Sequence, residues 1–291
     1  MVTNPAAGGG RAAKAAAIAT RRLVQRGIRP RTVCETNAEQ TVASARAAVA
    51  GGTELMIVVG GDGLVHLLLP LLAGTGVQLG VVPAGTGNDF ARALGIPLHD
   101  PAAAVDAIVE SDPLPVDLGR SGKGWFATVL TGGFDSRVAQ RAQRIRWPRG
   151  RARYNLALLA ELGLLRPVAY RLELDGSALD FEAVLVCVGN TSSYGGGMRI
   201  CPDARPDDGL LSVTVVGPVS RRELVRVFPR VYRGAHTGYP QVRTYQAETV
   251  ALTADGTPAD TPVYADGERF GSLPVTCRAT PGALLVRRPA P

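Results

Sequence analysis

A chain of 291 residues with 46% hydrophobic side chains can bury a large core, as one large or two ordinary domains. A charged fraction of 20% beside that apolar content excludes a disordered chain, and 35 glycines with 21 prolines signify many tight turns rather than low complexity. The net charge of +7 favours anionic partners, a class that includes nucleotides, nucleic acid and acidic membrane surfaces.

The opening "MVTNPAAGGGRAAKAAAIATRRLVQRG" reads as a short strand, a glycine-rich turn and a long alanine- and arginine-rich helix. A first strand in a buried sheet asks for more than Val2 and Thr3, so the natural start is expected upstream of Met1. Strand-like runs then alternate with helical patterns: "RTVCET" before 38–50, "ELMIVV" before 64–73, and "VQLGVVP" before 88–94 and 101–110. That alternation predicts a parallel α/β sheet. After about residue 115 the rhythm changes to short segments separated by turns, among them "PVDLGRS", "GWFATVLTGGF", "AYRLELDG", "FEAVLVCVGN", "LLSVTVVG", "TVALTADG" and "TPVYADGERF". A mainly antiparallel, sandwich-like domain is expected there, interrupted by helical insertions at 135–165 and 220–233. The fold class is therefore α/β with two domains. Residues 1–115 form a nucleotide-binding domain and 116–291 a β-rich substrate domain, with catalysis expected between them.

Several chemistries are poorly supported. Four cysteines without a C-x-x-C pair, beside only three histidines, do not assemble a zinc site, and they read as reduced and packed. The longest apolar run, "LVHLLLPLLAG", is too short to span a bilayer and carries His66 and Pro70. With no basic-then-apolar leader, a cytoplasmic protein is expected. There is no P-loop pattern, no G-x-G-x-x-G and no G-x-S-x-G elbow. No RNP-like motif or zinc finger accompanies the basic charge, so nucleic acid is not the expected partner.

Three strand-to-helix junctions carry glycine with a small polar group: "NPAAGGG" from Asn4, "GGDG" from Gly60 and "PAGTGND" from Pro83. In a parallel sheet such junctions lie along one edge, where helix N-termini and bare backbone N–H groups bind phosphate. Three of them in order read as a polyphosphate site. A triphosphate brings Mg²⁺, which takes few protein carboxylates, so the lone Asp62 suffices; it can equally cap the helix that follows. His66 reads as a packed or capping residue rather than a catalyst.

"NPAAGGGRA", "GGDG", "PAGTGNDFARALGIP" and the late "ADGE" occur in the order seen in the lipid kinase family that contains diacylglycerol, sphingosine and ceramide kinases. The resemblance spans nearly the whole chain, and "GFDS", "RIRWPRGRARY" and "NTSSYGGGMRICPDARPDDGLL" look most like actinobacterial diacylglycerol kinases. It implies ATP contacts from Asn4, Pro5 and Gly8, from Thr36, from Gly60, Gly61, Asp62 and Gly63, and from Thr86, Asn88 and Asp89. It implies an acidic network of Asp62, Asp89 and Asp117 around Mg²⁺, and Glu268 or Asp266 as the base near the acceptor hydroxyl. A second, structural Mg²⁺ is implied at "RPDDG", with Asp208 as side-chain ligand and the Arg205 and Leu210 backbone nearby. The implied reaction is transfer of the ATP γ-phosphate to diacylglycerol, giving phosphatidic acid.

Relatives commonly follow GGDG with threonine, then a polar residue and a glutamate, where this chain has Leu64, His66 and Leu67. A sphingoid base or ceramide as acceptor, and a catalytically inert nucleotide- or lipid-binding regulator, are the alternatives. An NAD kinase shares GGDG but lacks "GTGNDFAR" and the late "DGE". Arg137, Arg141, Arg144, Arg146, Arg149, Arg151 and Arg153 around Trp147 are expected to rest on an anionic bilayer, which places the protein peripherally at the inner face of the cell membrane. A homodimer is compatible with this sequence.

Overall fold

The computed structural model describes residues 1–4, 10–35, 37–133, 138, 141, 145, 156–157, 160–161, 166–255 and 261–290. The chain forms two compact units, one of residues 1–118 with 281–291 and the other of residues 119–280.

In the first unit, β1 (Val2–Thr3), β2 (Val33–Cys34), β3 (Leu55–Gly60) and β4 (Gln78–Pro83) lie in the order β2-β1-β3-β4, with parallel pairing throughout. Two residues suffice for β1 because both are buried and pair on both sides, Thr3 facing Cys34 and Val59. The helices are α1 (Arg11–Gln25), α2 (Ala38–Ala50), α3 (Asp62–Leu72), α4 (Asp89–Ala93) and α5 (Pro101–Glu110). Helix α1 buries Ala12, Ala15, Ala19 and Leu23, the stripe that helical spacing brings to one face. Its far end is tied to α5: Asp106 accepts from Arg22 Nε and Nη2, both at 2.8 Å, and from Arg26 Nε at 3.0 Å. These guanidinium bonds hold the Asp106 carboxyl below its usual range.

The second unit contains two antiparallel sheets. Strands β5 (Pro113–Ser121), which begins in the first unit, and β6 (Gly124–Phe126) pair as a hairpin. Next come β7 (Val129–Gly133), β8 (Val168–Leu174), β9 (Ser177–Ala183), β10 (Leu185–Gly189), β11 (Leu211–Val216) and β12 (Val242–Ala247). The last are β13 (Thr249–Asp255), β14 (Pro262–Ala265), β15 (Glu268–Ser272) and β16 (Val275–Arg287). One sheet runs β12-β11-β10-β7-β14-β15, and the other contains β16-β13-β8-β9. Leu211, Val213, Val186 and Val188 pack with Leu172, Val250, Leu252 and Val275 in one core. The other face of β10 and β11 is also covered: Leu185, Cys187 and Val216 pack with Met198, Ile200 and Val231. Val231 ends α6 (Arg221–Val231). Burial on both faces explains why β10, "LVCVG", is a continuous apolar run instead of an alternating one.

The α/β class and the sandwich-like second unit agree with the sequence reading. The boundaries do not: the first unit extends to Leu118, and residues 281–291, placed by sequence in the second domain, return to the first. The cause is β16. Its start pairs antiparallel with β13 in the second unit, and Leu285 and Val286 then pair parallel with Gln78 and Leu79 in the first. Pro281 and Gly282 look like a turn in sequence, but the strand runs through them, with Gly282 at φ 59°. Most of the arginine-rich segment 135–165 lies outside the described residues. Of its arginines Arg141 is described, and its Nε is paired with the buried Glu161 at 2.5 Å. Among the described residues no helix is long and apolar enough to cross a membrane.

His236, 1% exposed in the second unit, donates from Nε2 to the Ile200 carbonyl at 3.0 Å, while Nδ1 has no partner among the described residues. Burial, only partly opposed by that carbonyl, lowers its pKa below the ordinary 6.5. A depressed histidine pKa means the unfolded chain takes up the proton first. Stability is therefore expected to be complete above pH 6.5 and to fall as pH drops towards the folded-state value. Urea midpoints across that window check this, and His236→Gln should flatten the dependence.

Candidate active site

The order β2-β1-β3-β4 reverses direction between β1 and β3, since the chain builds outward from β1 on one side and from β3 on the other. Ligands of open α/β sheets bind beyond the carboxyl ends of strands at such a switch point. Asn4 follows β1 there, half-buried, and Gly60 closes β3. Pro5, Gly8 and Thr36 lie outside the described residues.

Two of the glycine turns are in direct backbone contact. The Ala84 N–H donates to the Gly60 carbonyl at 2.8 Å, extending the β3–β4 ladder past the strand ends. A Cβ built on Gly85 would stand 2.5 Å from Gly61 Cα and 2.7 Å from Asn88 Oδ1; one on Gly61 would stand 2.9 Å from Gly85 Cα. Only glycine permits this approach. Asn88, in the left-handed region at φ 55°, clasps the second turn: its Oδ1 accepts from Gly85 N–H at 2.9 Å, and its Nδ2 donates to the Gly85 carbonyl at 3.2 Å. Gly85→Ala is expected to cost about 2–3 kcal/mol in urea denaturation because the obstructing atoms include backbone. Gly122→Ala, with open space around it, should stay within about 0.5 kcal/mol of wild type.

Asp62 and Asp89 each begin a helix at this edge. Asp62 is the first residue of α3, where its charge suits the helix dipole, and its Oδ1 accepts from the Phe90 N–H of α4 at 3.0 Å. It therefore caps a helix, as sequence allows, but α4 rather than its own. Neither Gly61 nor Asn88, the N-caps of α3 and α4, makes a side-chain cap bond. Asp89 is 4% exposed, with Arg92 Nε 3.9 Å from its Oδ1. Gly63 is half-buried and Thr86 exposed on the turn. Leu64, where the resemblance leads one to expect threonine, is buried over Gly60, and Leu67 is half-buried. Leu64 thus joins the core of the unit, which accommodates the change.

Asp117 has a contact that sequence did not suggest. Buried, it accepts from the Gly282 N–H at 2.8 Å and so ties the returning end of β16 into the first unit. Among the described residues no group of three or more His, Cys, Asp or Glu side chains is placed to hold a metal. Asp62, Asp89 and Asp117 thus do not form a ligand cage of protein groups alone. Mg²⁺ on a nucleotide does not need one, because phosphate oxygens and water fill most of its shell. Asp62 and Asp89, joined through the start of α4, are the carboxylates that fit it. In "RPDDG", the exposed Asp208 accepts from the Leu210 N–H at 3.0 Å around Gly209 at φ 75°, with Arg205 exposed beside it. The contact seen there is a turn closed by its own aspartate.

In the second unit "ADGE" forms a two-residue hairpin between β14 and β15, with Asp266 at φ 54° and Gly267 at φ 83°. The two acidic residues differ sharply. Asp266 is 8% exposed, and its Oδ1 accepts from Thr128 N–H at 2.7 Å and Thr128 Oγ at 2.6 Å. Its Oδ2 accepts from Ala127 N–H at 3.0 Å, and the neighbouring Asn190 Nδ2 donates to the Ala127 carbonyl at 3.0 Å. Glu268, one residue beyond the turn, is exposed. Asp266 is thereby fixed in the interior of the unit, whereas Glu268 lies at its surface. Sequence had no signal for Ala127 and Thr128, which stand more than 130 residues away.

Comparison with known proteins identifies the family. Residues 1–121 fit the diacylglycerol kinase catalytic domain model, and residues 128–288 fit the YegS C-terminal NAD kinase beta sandwich-like domain model. A catalytic kinase domain followed by this sandwich defines a phosphotransferase of the kinase class. A diacylglycerol kinase of Mycobacterium tuberculosis (strain ATCC 25618 / H37Rv) is 46% identical over 294 residues, covering 99% of this chain and 94% of that protein. One from Staphylococcus carnosus (strain TM300) is 32% identical over 224 residues, 76% of this chain and 72% of that one. The chain belongs to the diacylglycerol kinase family and is an enzyme of it. The fold agrees: a solved chain from Bacillus anthracis str. Sterne has a TM-score of 0.82 at 22% identity, covering 99% of this chain and 94% of that one. A diacylglycerol kinase structure from the same organism has a TM-score of 0.73 at 20% identity, covering 99% and 95%.

Proposed function

We propose that the enzyme transfers the γ-phosphate of ATP to the free hydroxyl of diacylglycerol, giving ADP and phosphatidic acid. The observation that carries this reading is the backbone contact of the GGDG and GTGND turns, locked by Asp62 on the Phe90 N–H. It brings two helix starts together beside the switch point, where backbone N–H groups suit the phosphates of a nucleotide.

Phosphoryl transfer asks for positioning and charge neutralisation more than covalent chemistry. In this reading the first unit binds the nucleotide, with Asn4 and the turns at Gly60–Gly63 and Gly85–Asp89 along its phosphates. Asp62 and Asp89 would hold Mg²⁺, which when bound would supply charge neutralisation at the phosphates. Glu268 accepts the proton of the attacking hydroxyl, and Asp266 fixes the turn that presents it. The acceptor lives in a bilayer, which places the enzyme at the inner face of the cell membrane.

The test is transfer of labelled γ-phosphate from ATP and Mg²⁺ to diacylglycerol, sphingosine and ceramide in mixed micelles. Label in phosphatidic acid alone supports the proposal. Label confined to sphingosine or ceramide would reassign the acceptor, and label in none of them would refute lipid phosphorylation.

A further inference from the structure

Helix α6 carries a basic face that the catalytic reading leaves unused. Arg222, Arg226 and Arg230 recur every fourth residue and so line one stripe, with Arg221 and Arg233 at its ends; all five are exposed. The opposite side is anchored: Val231 is buried, and Phe228 and Tyr232 pack on the same cluster as Ile200 and Cys201. Val225 is 56% exposed, and Pro229, one turn on, is exposed beside the arginine stripe. A capping box fixes the start of the helix: Glu223 N–H donates to Ser220 Oγ at 3.2 Å, and Ser220 N–H donates to Glu223 Oε2 at 2.8 Å. The acidic residue of the first turn is thus occupied by the backbone. Among the described residues no carboxylate pairs with Arg222, Arg226 or Arg233, and Arg230 stacks over Tyr239 at 5.3 Å.

We infer that the exposed face of α6 is a docking surface for a bilayer containing anionic phospholipid. The charge is complementary, and Arg222, Arg226 and Arg233, which pair with no carboxylate among the described residues, cost little to bring to phosphate headgroups. Val225 and Pro229 decide between anionic partners. Apolar side chains among the arginines gain from the headgroup–acyl boundary and nothing from a nucleic-acid backbone. The inference rests on the proposed function for its reason, a membrane-dissolved acceptor, but binding is measured without turnover. Arg141, in the segment sequence suggested for this role, is already paired with Glu161.

The experiment is co-sedimentation of the full chain with vesicles of phosphatidylcholine alone or with added phosphatidylglycerol. Wild type should bind the anionic vesicles and be released by high salt. Arg222→Gln with Arg226→Gln should lower the partition constant by about thirtyfold, whereas removing the same charge by Arg29→Gln with Arg46→Gln should change it much less. Val225→Asp should also weaken binding, and the helix variants should keep wild-type turnover on a short-chain, water-soluble diacylglycerol. Equal vesicle binding by wild type and the α6 double variant would overturn the inference. So would binding to a single-stranded homopolymer RNA, lost in that variant, with no vesicle binding. Loss of vesicle binding in the variant from an enzyme that phosphorylates no lipid would sustain the surface and remove only the acceptor assignment.

Discussion

Replacing Asp62 with alanine is expected to lower kcat by on the order of a thousandfold, the cost of removing a carboxylate proposed to hold Mg²⁺ at the nucleotide phosphates. The same change removes the acceptor of the Phe90 N–H and should cost about 1 kcal/mol of stability. The two effects separate in Asp62→Asn, whose remaining carbonyl oxygen still accepts that bond while the charge is gone. Its urea midpoint should match wild type, and its turnover should fall nearly as far as that of the alanine variant. Steady-state kinetics with ATP and diacylglycerol check this. Recovery of wild-type turnover in Asp62→Asn would make Asp62 a helix cap and nothing more.

The largest expected loss of stability comes from Asp266→Ala. The carboxylate accepts from the N–H groups of Ala127 and Thr128 and from the Thr128 hydroxyl, all in the interior of the second unit. Alanine leaves those donors buried without their acceptor, at about 1–3 kcal/mol each before relaxation, and must itself hold a left-handed conformation. A total near 4 kcal/mol is expected after relaxation. Glu268→Ala should behave in the opposite way: an exposed side chain leaves stability within about 0.5 kcal/mol, while loss of the proposed base lowers kcat by about a hundredfold or more. Chemical denaturation and turnover on the same preparations distinguish them. A wild-type midpoint for Asp266→Ala would refute its structural role, and unchanged kcat for Glu268→Ala would remove it as the base.

Much of the fold was legible in the sequence because its signals are local. Helix periodicity and the Asp100-Pro101 start marked α5, whose side-chain cap bonds from Ala102 and Ala103 the structure shows. Glycine after an apolar strand marked the turns at Gly60 and Gly85. At Asp266-Gly267, where both residues take positive φ, the single run "TPVYADGERF" divides into the hairpin of β14 and β15. Strand β12 was missed, with three of its six residues exposed, and so was β16, where Pro281 and Gly282 imitate a turn.

What the sequence by itself determined is the chemistry on offer: the order of glycine turns, the carboxylates beside them, and the family those motifs share. Only the tertiary structure decided how the carboxylates are used. Asp62 reaches α4 rather than capping α3, Asp117 holds the return of β16, and Asp266 is buried on Thr128 and Ala127 while Glu268 stays at the surface. Each of these is a bond between residues 28 to 165 positions apart. Local sequence carries no record of such partners, because a buried acceptor is satisfied by whichever donor the packing brings within reach.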